Sequence, residues 1–255
     1  MDTQVLLLRG INVGGHNRLP MADLRALLVA LGCEDVATYV QSGNVVCRAE
    51  GTPEALGAEL RAVLAAELGL TVPVVGRTAA QWATAVAGNP LLHLDDDPKR
   101  LHVTFLDDVP EPDRVDALLA EAAGLAPEVL AIAGRDVYLH IPNGYNKAKL
   151  TNTFLERRLG RVATARNWRT VLALADLAGV ADCRRPPRPP GRPPAPALRG
   201  DLGQRGGRDG GVRVGPLVGG VVAVTGQDHA ELVGGARQAR PVAGVLGGGG
   251  DDLCR

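Results

Sequence analysis

The sequence predicts an α+β protein built in two successive halves. Three observations carry that reading. Short apolar runs alternate with segments of helical period, the order of elements occurs twice, and the composition changes sharply near Cys183.

Residues 5–8 are a continuous apolar run and read as a buried strand. Pro20 opens an amphipathic segment with Leu24, Leu27, Leu28 and Leu31 on one face, stopped by Gly32. Residues 36–41 and 45–48 read as strands joined across Ser42-Gly43-Asn44, a tight-turn signal. Thr52-Pro53 caps a helix carrying Leu56, Leu60, Val63, Leu64 and Leu68, ended by Gly69, and residues 72–77 form a fourth strand. The order then returns. Residues 101–106 are a strand, 112–122 a helix, and 129–133 with 137–141 a hairpin across Gly134-Arg135. A helix over 150–159, a strand over 162–165 and a closing helix over 168–177 complete the second half, and residues 78–87 bridge the two.

Each half thus has the β-α-β-β-α-β order of a ferredoxin-like plait, two helices on one face of an antiparallel sheet. The expected organisation is two tandem ferredoxin-like subdomains, at 1–77 and, with the closing helix, at 99–180. A connecting helix and acidic linker occupy 78–98, and a low-complexity, disordered tail occupies 181–255. One continuous mixed sheet built from the same elements is the rival arrangement.

Formal charge is zero overall but unevenly placed. Residues 184–255 hold eleven Arg, no Lys and six carboxylates, leaving a tail of +5 and residues 1–183 at −5. The tail is rich in Pro and Gly and has no aromatic residue, a composition that favours disorder over a packed core. A non-functional extension is favoured over a basic arm for nucleic acid or an SH3-like partner. Residues 212–224 are apolar enough for a strand, though their glycines weaken it. No run of eighteen apolar residues predicts a membrane span, and no basic stretch precedes the first apolar run as a signal peptide requires. Cys33, Cys47, Cys183 and Cys254 form neither metal-ligand nor disulfide spacing, which fits a reducing cytoplasm.

Four segments stand out as polar motifs: Leu8-Arg9-Gly10-Ile11-Asn12-Val13-Gly14-Gly15, Gln41-Ser42-Gly43-Asn44-Val45, Lys149-Leu150-Thr151-Asn152 and Ala165-Arg166-Asn167-Trp168-Arg169-Thr170. Together, in this order over roughly residues 3–178, they resemble the signature of the DUF1697 family. The resemblance implies a bacterial cytoplasmic protein with two ferredoxin-like subdomains. It implies no activity and lends no catalytic or binding residue.

Three constellations are candidates for chemistry. The first motif follows a strand and precedes a helix, where glycines open the backbone to an anion and Arg9, His16 and Arg18 add charge. The bland reading is a long connection whose asparagines bond local backbone. A second cluster is the basic run Lys147, Lys149, Arg157, Arg158, Arg161, Arg166 and Arg169, read otherwise as a solvated face. In the third, alternation predicts that His102, Thr104, Tyr138 and His140 share the sheet face turned away from the helices. The first strand is apolar on both faces, so the open side of its sheet should be covered by the other half or by a second copy of the chain. Neither Cys33 nor Cys47 has a base beside it, and Asp95-Asp96-Asp97 reads as a solvated linker.

The leading expectation is binding of an anionic or phosphorylated small molecule by Arg9, Asn12, Lys149, Arg166 and Arg169. Gly14 and Gly15 would shape the loop, while Ser42 and Asn44 would supply polar contacts from the hairpin. No catalytic residue, cofactor, metal ligand or membrane contact is assigned. The alternatives are nucleic-acid binding through the basic 147–169 surface and a ligand-free homodimeric assembly module.

Overall fold

The computed structural model describes residues 1–180 and 222–224; the rest of the tail, expected to be disordered, lies outside the described residues. The first half runs β1 (Asp2–Leu8), α1 (Met21–Ala30), β2 (Glu34–Tyr39), β3 (Asn44–Ala49), α2 (Pro53–Leu68) and β4 (Val74–Thr78). The helix α3 (Ala79–Ala87) follows β4 directly. The second half runs β5 (Leu101–Leu106), α4 (Pro112–Ala122), β6 (Val129–Ala133), β7 (Asp136–His140), α5 (Asn152–Leu159), β8 (Ala163–Asn167) and α6 (Trp168–Leu177). A three-residue strand, β9 (Val222–Val224), lies antiparallel beside β6 within the region where the tail reads as strand-forming.

The eight strands of the two halves form two four-stranded antiparallel sheets, β2-β3-β1-β4 and β8-β5-β7-β6. The rival single sheet is therefore not formed.

Local chemistry sets the element ends. Thr52 Oγ1 accepts from the Ala55 amide at 3.2 Å, and Pro53 occupies the first helical position, where no N–H is needed. Pro73 cannot donate to a ladder, so β4 starts at Val74 rather than at residue 72. Thr78 and Gln81 cap each other reciprocally, which turns β4 into α3 without a loop. Asn167 does the same work between β8 and α6, accepting from Thr170 N at 2.9 Å. Helix α5 begins at Asn152, not at residue 150, because Thr151 takes the cap and the Leu150 amide is held by the Glu128 carboxylate at 2.9 Å.

Three apolar layers result. Leu24, Leu28, Leu56, Leu60 and Leu64 of α1 and α2 pack on Leu6 and Leu8 of the first sheet. Leu118, Leu155 and Leu159 of α4 and α5 pack on Leu106, Leu130 and Leu139 of the second. Between the sheets, Val5, Leu7 and Val75 meet Val103, Phe105 and Tyr138 through Trp82, Ala85, Trp168, Val171 and Leu174 of α3 and α6. Trp82 stacks on Phe105 at 4.6 Å and donates to the Val171 carbonyl at 3.2 Å. The open side of the first sheet is thus covered by the chain's own helices, which removes the reason to invoke a second copy there.

The expected polar face does not form. Register places Tyr138 opposite Val103 and His140 opposite Leu101, whereas His102 and Thr104 face Leu139 and Val137. Directly opposed residues share a sheet face. Tyr138 and His140 therefore join the middle layer, with Tyr138 Oη donating to Ala85 O at 3.0 Å, and His102 and Thr104 turn toward the α4/α5 side.

Candidate functional site

Two arginines tie the halves together, one from each sheet. Arg77 on β4 and Arg166 on β8 each stand immediately before the residue that caps the next helix. Each reaches across to the end of the other half's first strand and to its hairpin.

Arg77 is buried and donates through Nη2 to Leu106 O at 2.9 Å, Arg135 O at 3.0 Å and Asp136 Oδ1 at 3.0 Å. Its guanidinium also stands 5.5 Å from the centre of the Phe105 ring. Nearby, Arg135 donates to Glu54 Oε1 at 2.8 Å, so this end holds two guanidiniums against two carboxylates.

Arg166 makes the reverse crossing. Nη2 donates to Leu8 O at 2.8 Å and Ser42 O at 3.3 Å, Nε donates to Asn44 Oδ1, and Nη1 donates to Thr164 Oγ1 and Ala165 O at 2.8 Å each. Where Arg77 meets the Asp136 carboxylate, Arg166 meets the neutral amide of Asn44. Burial pushes the Arg166 guanidinium down to about 10, and only the Tyr145 phenol acts electrostatically in the opposite sense. Arg9 at the end of β1 pairs with Glu156 of α5, whose Oε1 also accepts from Ala163 N at 3.0 Å. This end therefore holds two guanidiniums against one carboxylate.

Asn44 is fully buried and fixed, donating to Tyr39 O at 3.0 Å and to Ser42 Oγ at 2.9 Å. Gly43 has φ +70°, and a Cβ there would lie 2.6 Å from Leu8 Cβ; only glycine lets the hairpin cross the end of β1. Asn12 follows the bland reading of its loop. Its amide donates to Leu19 O at 2.9 Å and Gln41 O at 2.8 Å, and its Oδ1 accepts from Leu19 N at 2.9 Å. It pins the loop to the hairpin. Gly14 and Gly15 are exposed at positive φ in the same loop, next to the Val13–His16 bridge.

Arg9, Ser42, Asn44 and Arg166 are thus gathered at one seam. Lys149 and Arg169 have exposed side chains outside its hydrogen bonds, and the Lys149 amide is held by Glu128 at 2.8 Å. Within the basic run, Arg158 pairs with Glu121, and Arg161 lies 3.7 Å from Glu111. Asp95 turns to His140 at 3.2 Å and Arg100 at 3.3 Å. Sequence reading assigns no role to Arg77 at the other crossing or to Tyr145 at this one, and takes Glu156 only as the acid opposing the basic run. For Arg77 a signal existed, since Arg77-Thr78 and Arg166-Asn167 hold the same place before a helix.

Among the described residues, no helix is long and apolar enough to cross a membrane. No curated protein matches the chain significantly. A conserved bacterial protein from Streptococcus pneumoniae of solved structure is 26% identical with a TM-score of 0.57, covering 69% of this chain and 98% of that one. The family model described as a protein of unknown function (DUF1697) matches residues 1–138, the whole first half and the second as far as β7. The motifs at 149–152 and 165–170 lie beyond that match. More than half of the chain is spanned by it, and the chain belongs to the DUF1697 family.

Proposed function

We propose that the chain binds an anionic or phosphorylated small molecule at the seam formed by Arg9, Ser42, Asn44 and Arg166. The observation that carries this reading is the missing carboxylate opposite Arg166, in a setting where Arg77 has Asp136. A buried or half-buried guanidinium without a counter-charge attracts an anion more strongly than a paired one. All five Arg166 N–H groups are engaged within the protein, so Arg166 contributes its charge, while Arg9 supplies the direct contact when the incoming anion takes the place of the Glu156 carboxylate, and Asn12 with Gly14 and Gly15 holds the loop that carries Arg9. Arg166 positions the hairpin whether or not ligand is bound.

The same proposal includes the architecture: the halves are two copies of a ferredoxin-like plait, at 1–77 and 99–180. The matching element order, the matching strand order and the reciprocal arginines support it. The buried, unbridged Cys33 and Cys47 support a cytoplasmic setting. A nucleic-acid reading has less support, because Arg158 and Arg161 are matched by acidic partners.

The test is thermal unfolding of the full-length protein with inorganic phosphate and a panel of phosphorylated metabolites. The proposal requires a concentration-dependent rise in Tm that Arg166→Gln abolishes. No rise with any member of the panel would contradict it.

A further inference from the structure

The two sheets finish differently at one edge. In the first half the edge strand is β2, and it is poorly suited to pairing with another chain. Glu34 and Asp35 are exposed on it, Asp35 has φ +50°, and its register on β3 shifts between Glu34 and Ala37. Charge and a bulge are common means of keeping an edge unpaired. The strand in the matching place of the second sheet, β6, has neither. It reads Val129-Leu130-Ala131-Ile132-Ala133 and pairs with β7 in unbroken register. Both of its faces are apolar: Leu130 and Ile132 belong to the α4/α5 layer, Val129 and Ala131 to the middle layer. A strand of that kind normally lies inside a sheet, with a neighbour on each side.

The phase of the ladder sets what fits beside it. Leu106 N donates to Arg135 O at 2.9 Å and Ile141 N to Arg100 O at 2.8 Å, so the odd-numbered residues of β7 bond to β5 and the even-numbered ones to β6. Those even-numbered residues oppose Val129, Ala131 and Ala133, which leaves the N–H and C=O groups of Leu130 and Ile132 pointing to the other edge. The tail strand β9 meets that phase, with Val224 opposite Leu130, Ala223 opposite Ala131 and Val222 opposite Ile132. Its order, an alanine between two branched aliphatic residues, is also the order of Leu130-Ala131-Ile132. A second β6, turned about a two-fold axis at Ala131, sets Ile132 opposite Leu130 and Ala131 opposite its own copy, with outward-pointing groups again facing each other. Strand β9 has the direction, the register and the residue pattern of that second β6.

We propose that the outer edge of β6 is a self-pairing surface, on which β6 of a second copy joins the two second-half sheets into one, and that Val222–Val224 is a built-in mimic that occupies this edge in the single chain. The proposal is independent of the anion-binding reading. Covalent connection lets a three-residue strand compete, because its docking is intramolecular whereas a second copy must also give up its translational freedom. Withdrawal of the segment therefore turns a monomer into a dimer.

The experiment is sedimentation of the full chain at rising concentration, with amide exchange read at Leu130 and Ile132. Val222→Pro combined with Val224→Pro removes the two β9 donors that face β6 and changes nothing in either half. The wild type should stay monomeric with both amides protected. In the dilute variant these two amides should exchange about tenfold faster, with the Tyr138 amide unchanged. On concentration the variant should double its mass and recover the protection. A synthetic peptide of residues 217–227 should return it to a protected monomer. A variant that stays monomeric at every concentration would overturn the proposal, as would a dimer whose Leu130 and Ile132 amides stay fast. So would a wild type that dimerises as readily as the variant, or whose two amides exchange equally fast.

Discussion

Arg77 and Arg166 use the same geometry for different electrostatics. Each leaves a strand one residue before a helix cap, crosses to the other sheet, and donates to the carbonyl that ends the first strand there, Leu106 or Leu8. At the third contact they part: Asp136 for Arg77, Asn44 for Arg166. The neighbours follow suit, Arg135 with Glu54 at one end and Arg9 with Glu156 near the other. Backbone carbonyls are therefore enough to hold the halves in register, and the carboxylate is a separate choice. Where it is present the guanidinium charge is matched at the crossing; where it is absent the guanidinium meets only neutral acceptors.

That contrast is broken most severely by Arg77→Met. It leaves the Asp136 carboxylate, only 14% exposed, without its cation. The expected loss is about 3–5 kcal/mol, measured by urea unfolding of the full chain. Burial of His102 sets the next effect. His102 has a folded value of about 4 against its ordinary 6.5, so the unfolded chain binds more protons between those values. Stability is then fully present above pH 6.5 and is lost as pH falls toward 4, by up to ~3 kcal/mol, and His102→Gln should flatten the profile in that window. Arg166→Met should cost less than Arg77→Met, about 1–2 kcal/mol, because the groups it leaves unpaired are neutral. A loss equal to that of Arg77→Met would erase the proposed difference. Smallest of all are Lys149→Ala and Arg169→Ala. Both side chains are exposed outside the seam, and neither substitution should move the unfolding midpoint or the response to phosphate.

Periodicity made much of the fold legible in sequence: α4, β6 and α6 run over the residues expected from apolar spacing and helix ends. Alternation along β7 could not reveal which residue of β5 lies opposite Tyr138. That register follows from the β6–β7 turn and the return strand, and a slip of one residue exchanges the two faces. This is why His102 and Thr104 belong to a buried cluster rather than to a face shared with Tyr138 and His140. Of the site, the motif residues Arg9, Ser42, Asn44 and Arg166 were visible as polar residues at element ends. Their closure by Glu156 and Tyr145 was not, since Arg9 and Glu156 are 147 positions apart and only the docking of the halves brings them together.

The most direct test is Asn44→Asp, which gives Arg166 the kind of partner that Arg77 already has. Full-length wild type and variant are unfolded thermally across a phosphate titration, and the increment that phosphate adds is compared. Reading the increment removes any change in baseline stability, including that from setting a carboxylate oxygen against the Tyr39 carbonyl. A rise in Tm with phosphate for wild type, and none for the variant, is the expected result. Equal increments in the two proteins would contradict the assignment of an unneutralised Arg166 as the anion's anchor.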